Sequence, residues 1–254
     1  MRWILPIDRP APTETKESEM TYIQGFVTAV PTANRQAFVE HARKAAELMR
    51  EFGASRVVDA WGVDVPDGKV NDFKGAVAAK ADETVCFGWM EFPDEAAAKA
   101  CFDKMMSDPR MREIGDMPFD GKRMIFGGFE PLMDEGAAVE GGYVDGFVIP
   151  VPAGKREAFR DMALTAWPMF RDHGATRDVE AWGVDVPRGT VTDFFRAAHA
   201  EDGEHVVFAF LEWPDKETRD AGMKAVMEDE RMATMPPEMP FDGKRMIFAG
   251  FEVV

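Results

Sequence analysis

Carboxylates that could perform acid–base chemistry recur in two similar segments of the chain. The segments at residues 61–73 (WGVDVPDGKVNDF) and 182–194 (WGVDVPRGTVTDF) share ten of their thirteen residues. Their shared aspartates are Asp64, Asp72, Asp185 and Asp193. Aspartates that line a cavity could exchange protons with a substrate or bind a cation. Aspartates in a turn could instead cap the backbone or pair with a nearby arginine, and both interpretations stay open.

Two arginines come from a second repeated segment, PFDGKR, in which an Asp-Gly turn leads into the last predicted strand of each copy. Because successive strand residues face opposite ways, one of Lys122 and Arg123 should face the inner surface of the sheet. An inward Arg123 or Arg245 could bind a carboxylate or phosphate through two parallel hydrogen bonds. The alternative is an ion pair with Glu91 or Glu212, which both copies also contain.

The remaining reactive residue types favour no further chemistry. Trp61 and Trp182 could stack on an aromatic substrate or belong to the core. No histidine occupies the same position in both copies, which argues against a shared histidine mechanism. Cys86 and Cys101 lack a metal-ligand spacing, so both are predicted to be reduced core residues. No glycine-rich phosphate loop occurs. We therefore predict no metal site and no cofactor.

These segments belong to a repeat that covers nearly the whole chain. YIQGFV begins at Tyr22 and YVDGFV at Tyr143, and MPFDGKRMIFGGFE and MPFDGKRMIFAGFE close the two copies with a single difference. We predict one module at residues 20–130 and another at 143–254, joined by a small, acidic, glycine-containing linker at 131–142. Residues 1–19 are expected to form a tail, and Met20 is an alternative start.

Each copy predicts the element order β-α-β-β-α-β. Apolar runs at 22–30, 55–63, 85–92 and 122–130 predict the four strands of the first copy. An apolar stripe predicts a helix from Arg35 to the C-terminal cap Gly53. Asp94 is a predicted N-cap for the second helix. The turn-rich residues 64–80 have room for a short extra strand. This order is the ferredoxin-like α+β motif, an antiparallel sheet with both helices on one face.

The other face of each sheet would be apolar and uncovered, which favours aggregation. If the two sheets pack face to face, both apolar faces are buried and the helices lie outside. The sequence therefore predicts a closed or nearly closed barrel formed within one chain, an internal pseudo-dimer.

Composition limits the classes of partner. The formal net charge is -16, with 30 basic and 46 acidic residues, and the basic residues form no stripe. Such a protein repels phosphate backbones and anionic lipid surfaces, so neither nucleic acid nor a membrane is expected as a partner. No apolar run reaches the roughly 18 residues of a membrane span, and the N-terminus lacks the pattern of a signal peptide. A cytoplasmic location is expected.

The opening YxxGFVxxVP, the central WGVDVPDGKVNDF and the closing MPFDGKRMIFGGFE together resemble the family labelled domain of unknown function 1428, over essentially the whole of each repeat. The resemblance implies a dimeric α+β barrel, in which single-copy relatives pair as these two copies would. It brings no established activity. Related branches include cofactor-free monooxygenases, haem-degrading enzymes and small decarboxylase- or isomerase-like proteins, which work in the cavity between sheet and helices.

Two functions therefore stay open. The first is a small-molecule-binding or catalytic barrel, with Asp64, Arg123 and their counterparts as polar contacts in an apolar pocket. The second is a non-enzymatic module that acts through its surface in a stress response or an assembly, which predicts a barrel packed solid. The two halves need not be equally functional, because Pro168 replaces Glu47 inside the predicted helix of the second copy.

Overall fold

The computed structural model describes residues 21–235 and 238–254, so the tail predicted for residues 1–19 lies outside the described residues. The first module comprises β1 (Tyr22–Pro31), α1 (Arg35–Phe52), β2 (Arg56–Asp64), α2 (Phe73–Ala76), β3 (Glu83–Phe92), α3 (Glu95–Ser107), α4 (Arg110–Glu113) and β4 (Ile125–Gly136). The second comprises β5 (Tyr143–Pro152), α5 (Arg156–Asp172), β6 (Arg177–Asp185), α6 (Phe194–Ala197), β7 (Glu204–Trp213), α7 (Lys216–Glu228) and β8 (Ile247–Val253).

Capping residues mark the ends of the long helices. Helix α1 buries one apolar stripe and ends at Gly53, whose φ of 122° is accessible to glycine without strain. The Asp94 side chain accepts a hydrogen bond from the Ala97 amide and caps α3, as predicted. None of the helices in the described residues is long and apolar enough to cross a membrane.

Two sequence predictions about local structure are wrong. Between β2 and β3, a stretch that the structure describes in full, the chain forms the short helix α2 instead of an extra strand. The last strand of the first module begins at Ile125, because Asp120 accepts a hydrogen bond from the Lys122 amide and holds 121–123 in a 3-10 turn. The alternation of strand side chains therefore does not apply to Lys122 and Arg123.

The predicted linker is also shorter than expected. Strand β4 continues through Gly136, so the first half of the segment at 131–142 belongs to the sheet. The reason is pairing with the second module, since β4 is hydrogen-bonded to β6 as far as Gly136 opposite Arg177. The other module boundaries stay predictions.

Eight antiparallel strands form a closed barrel in the order β1-β3-β2-β8-β5-β7-β6-β4. Within each module the order is that of a ferredoxin-like sheet, and the two sheets join at β4–β6 and at β2–β8. The predicted α+β fold, two tandem ferredoxin-like modules packed as an intramolecular dimeric barrel, is confirmed.

The barrel interior is filled by aromatic side chains from both modules. Phe87 and Phe208, at equivalent positions in the two copies, stack in parallel with their ring centroids 4.5 Å apart. Trp89 stacks on Phe210 at 3.9 Å. A Cβ at Gly25 would lie 2.8 Å from the Phe208 ring, so the repeated glycine in the opening motif makes room for a ring of the other module.

One end of the barrel is closed by the two short helices. Phe73 of α2 is fully buried and packs edge-to-face against Phe87 and Phe251. Phe194 of α6 packs in the same way against Phe129 and Phe208. The phenylalanine at the end of each shared segment, 61–73 and 182–194, thus closes this end of the barrel.

The opposite end is closed by buried ion pairs that join the modules. Arg56 donates hydrogen bonds to both carboxylate oxygens of Glu212, at 2.7 and 2.6 Å. Arg177 does the same to Glu91, at 2.7 and 3.1 Å, and also to Asp134. Burial raises the pKa of Glu91, but the hydrogen bonds and charge of Arg177 outweigh it and hold that pKa below its usual value.

The closed barrel predicts that neither module is stable as a monomer. Residues 20–136 and 137–254, produced separately, should each self-associate or aggregate, because each would expose the aromatic inner face of its sheet. Mixing the two should give a one-to-one complex. Analytical ultracentrifugation tests this, and two stable monomers with no mutual affinity would contradict the interface.

The buried ion pairs predict a large effect from one substitution. Arg177→Met leaves the Glu91 carboxylate without its main partner, so we expect a loss of about 3 to 5 kcal/mol in the free energy of unfolding. Adding Glu91→Gln removes the stranded charge and should restore part of that loss. Urea unfolding measures both variants. A loss below about 1 kcal/mol for Arg177→Met would show that the pair does not hold the modules together.

Candidate functional site

A cavity of about 460 Å³ lies in the first module, between the outer face of the sheet and helices α1 and α3. It is outside the barrel, whose interior is filled. Its lining is mainly apolar and includes Phe26, Phe38, Ala46, Met49, Met90 and Phe92. Pockets of this size and character bind small organic molecules in other proteins.

Strand alternation determines which side chains reach the cavity. Along β1, Tyr22, Gln24 and Phe26 face the helices, whereas the residues between them face the barrel interior. Phe26 and Asp59 lie on either side of Gly88 in the register of the three strands. A carboxylate therefore lies in the same cross-strand row as an aromatic wall of the cavity.

Asp59 is the most unusual group in this cavity. Within residues 21–235 and 238–254, its carboxylate has no hydrogen bond or ion pair. Desolvation by the surrounding protein raises its pKa to about 6, while the charge of Arg50 opposes the rise. The group is thus mostly ionised at neutral pH, yet it is a stronger base than a solvated aspartate. Strongly shifted carboxyl groups in clefts are typical of functional sites.

Three other polar groups that line the cavity, His41, Tyr22 and Cys101, are uncharged near neutral pH. Burial, assisted by the charge of Lys44, lowers the pKa of His41. Burial and the nearby charges of Asp185, Glu95 and Glu130 raise the pKa of Tyr22 to about 12. Burial also raises the pKa of the Cys101 thiol, which makes it a poor nucleophile.

The second module contributes Asp185 to this cavity. Asp185 pairs with Gly128 across β6 and β4, and Gly128 in turn lies opposite Gln24 of β1. A Cβ at Gly128 would collide with the Tyr22 hydroxyl, so the glycine allows the tyrosine to extend towards Asp185. One end of the cavity is therefore built from both modules.

In the second module the equivalent space is occupied by the protein's own side chains. Trp167 replaces Ala46 and is 6% exposed, and Trp213 replaces Phe92 and is fully buried. Asp145 replaces Gln24 and accepts hydrogen bonds from Trp213 at 2.9 Å and from Arg219 at 2.6 Å. The two copies thus use the same fold around an open space in one case and a packed space in the other.

The counterpart of Asp59 in the second module is Glu180. Glu180 has one buried carboxylate oxygen without a hydrogen-bond partner among the described residues, and burial and Asp178 raise its pKa well above the usual value. Burial and the charge of Asp134 raise the pKa of Asp178 to about 7. Neither carboxyl group lines the cavity of the first module.

Of the four aspartates predicted as site residues, two cap short helices and two do not. Asp72 caps α2 by accepting hydrogen bonds from the Gly75 and Gly68 amides at 2.7 and 2.9 Å, and Asp193 caps α6 in the same way. Asp64 accepts a hydrogen bond from the Tyr143 hydroxyl at 2.5 Å. Only Asp185 of the four lines the cavity.

The predicted role of Arg123 and Arg245 needs correction. Arg123 donates two hydrogen bonds of 2.6 Å to Glu83, and Arg245 pairs in the same way with Glu204. Neither arginine lines the cavity or contacts Glu91 or Glu212, because the turns at 121–123 and 243–245 place each guanidinium beside the start of the third strand of its own module. The hydrogen bonds from Arg123 lower the pKa of Glu83 to about 2.

The two predicted tryptophans pack in the core. Trp61 lies against Phe38, with ring centroids 5.8 Å apart, and Trp182 stacks on His205 at 4.8 Å. Identity between the two copies does not single out Asp59, because the second copy has glutamate at that position. A shared carboxylate at this position was the available signal.

Comparisons with known proteins agree with this architecture. The model of the family described as "Protein of unknown function (DUF1428)" matches residues 21–121 and 142–243. The uncharacterized protein YbaA of Escherichia coli is 56% identical over 117 residues, which cover 46% of this chain and 100% of YbaA, and YbaA of Shigella flexneri matches equally.

Among solved structures, an anthrone oxidase-like protein superposes with a TM-score of 0.51 at 10% identity, covering 94% of this chain and 92% of its own. At that identity the likeness concerns the fold alone. Because the match to YbaA covers the whole of YbaA but 46% of this chain, one copy of the module corresponds to a whole YbaA protein, and this chain contains two copies.

Proposed function

We propose that the first module of this chain, which belongs to the family of proteins of unknown function DUF1428, binds an apolar organic molecule in the cavity. Asp59 would remove a proton from that molecule. The observation that carries the proposal is the isolated, desolvated carboxylate with a pKa of about 6. A general base works best when its pKa lies near the operating pH.

The apolar lining explains why such a base would be effective. The cavity replaces much of the water around the carboxylate with aromatic and methionine side chains, which raises the proton affinity of the ionised form. An apolar ligand that enters the cavity displaces remaining water and places its acidic proton against the base. Neutral His41 and the Tyr22 hydroxyl line the same space and can donate hydrogen bonds to the negative charge that develops on the ligand.

The alternative is a module that acts only through its surface. Its prediction of a barrel packed solid agrees with the filled interior and with the ion-paired arginines Arg123 and Arg245. It does not account for a cavity with an unpartnered carboxylate in one module and a packed space in the other. The fold shared with an anthrone oxidase-like protein is compatible with small-molecule chemistry but does not select it. The expected absence of nucleic-acid partners stays a prediction.

A nitrobenzisoxazole is a suitable probe of the base. Removal of its ring C–H proton breaks the N–O bond, and the electron pair ends on the oxygen of a coloured cyanonitrophenolate, so no further reactant is needed. We expect the full-length protein to accelerate this reaction, with a rate that rises with pH through about 6 and is level above it, since only the ionised carboxylate accepts a proton.

Asp59→Asn should lower the protein-catalysed rate by roughly 100-fold or more. Glu180→Gln makes the matched change in the packed second module and should leave the rate unchanged. Circular dichroism checks that both variants are folded. A rate that Asp59→Asn leaves intact, or that Glu180→Gln reduces equally, would contradict the assignment of the base.

A further inference from the structure

Two cations of the second module, the half-exposed Lys216 and the partly buried Arg219, lie beside its equivalent space. Lys216 replaces Glu95, and Arg219 replaces Ala98, both of which line the cavity of the first module. We propose that the cavity of the first module binds an organic ammonium ion with an apolar body, and that the ammonium lies over the Tyr22 ring beside Asp185. This names the ligand class of the same site and rests on the function proposed above.

The second module shows how the shared acceptors hold a cation. The Lys216 ammonium lies 2.8 Å from a carboxylate oxygen of Asp64 and 5.5 Å from the centroid of the Tyr143 ring. The Arg219 guanidinium lies 5.7 Å from the same ring centroid and is paired with Asp145. A cation within about 6 Å of an aromatic face is attracted by the ring quadrupole, and more strongly when partly desolvated.

The first module keeps the acceptors and lacks these internal cations. Tyr22 and Asp185 are the counterparts of Tyr143 and Asp64, and both line the cavity. Glu95 places a third acceptor where the second module has the Lys216 ammonium, and Ala98 leaves open the space that Arg219 fills. The shared acceptors of the first module are therefore available to a cation from outside the chain.

The charge of the lining agrees with a cationic ligand. Asp59, Glu95 and Asp185 are acidic, and Lys99, one helical turn after Glu95, is the basic residue among the described lining groups besides the largely neutral His41. Lys99 forms no ion pair within 4.0 Å in the described residues. The acidic excess disfavours a carboxylate or phosphate ligand, while the aromatic and methionine walls suit an apolar body.

Three probes with one aromatic body and different head groups test the proposal on the full-length protein. They are phenethyltrimethylammonium, phenethyl alcohol and phenylpropionate, measured by calorimetric titration. We expect the ammonium to bind about tenfold more tightly than the alcohol, and the carboxylate to bind more weakly than either. Asp185→Asn should weaken ammonium binding about tenfold and leave alcohol binding unchanged.

Matched variants separate this effect from a change in folding. Asp64→Asn makes the same change at the equivalent place in the second module and should leave the binding of all three probes unchanged. Glu95→Lys gives the first module the cation of the second, and should weaken ammonium binding more than alcohol binding. Thermal melting verifies that each variant is folded.

The outcomes distinguish the two proposals. Equal affinities for ammonium and alcohol, or an equal loss from Asp64→Asn and Asp185→Asn, would overturn the ammonium site while leaving the cavity and its base in place. If no probe binds and the nitrobenzisoxazole is not converted, the function proposed for the cavity falls as well.

Discussion

The structure depends on one constraint: an open four-stranded sheet with helices on one face leaves its other face apolar, and that face must be covered. Each module covers the other. The contact is made by paired strands at both seams of the barrel and by aromatic rings that stack across its centre, with Phe87 against Phe208. The glycines Gly25 and Gly146 leave room for these rings, so the opening motif of each copy encodes the contact rather than a ligand site.

This constraint also decides where a ligand can bind. The interior is filled and its ends are closed by Phe73, Phe194 and buried ion pairs, and the cavity of the first module lies on the outer face of its sheet, beneath the long helices. The two copies treat that space differently. The second fills it with two tryptophans and the buried Asp145, which pairs with the partly exposed Arg219, and the first leaves it open around Asp59. An unpartnered carboxylate in apolar surroundings costs stability, and such local costs are typical of functional sites.

Much of the fold could be predicted from the sequence, because the repeat, the apolar periodicities and the helix caps are local signals. The local structure of the segments between the strands could not be predicted in the same way. The short helix that begins at Phe73 has a local cap in Asp72, but its phenylalanine packs on Phe251 of the other module, a contact that no local pattern contains. The partner of Arg123 could not be predicted from strand alternation, because a 3-10 turn, rather than a strand, carries the arginine. The candidate site could not be predicted from the sequence. The raised pKa of Asp59 depends on its place beneath a helix and on the small side chains of Ala46 and Ala98, and none of these residue types is distinctive in a sequence.

The titration of Asp59 itself tests most directly whether this residue is an isolated carboxyl group in an apolar cavity. Nuclear magnetic resonance of protein labelled with ¹³C at the aspartate carboxyl carbons follows each aspartate with pH, and Asp59→Asn identifies the resonance. The structure predicts a midpoint at about 6 for Asp59. A midpoint near 4, the value of a solvated aspartate, would show that water reaches the carboxylate and would contradict the account.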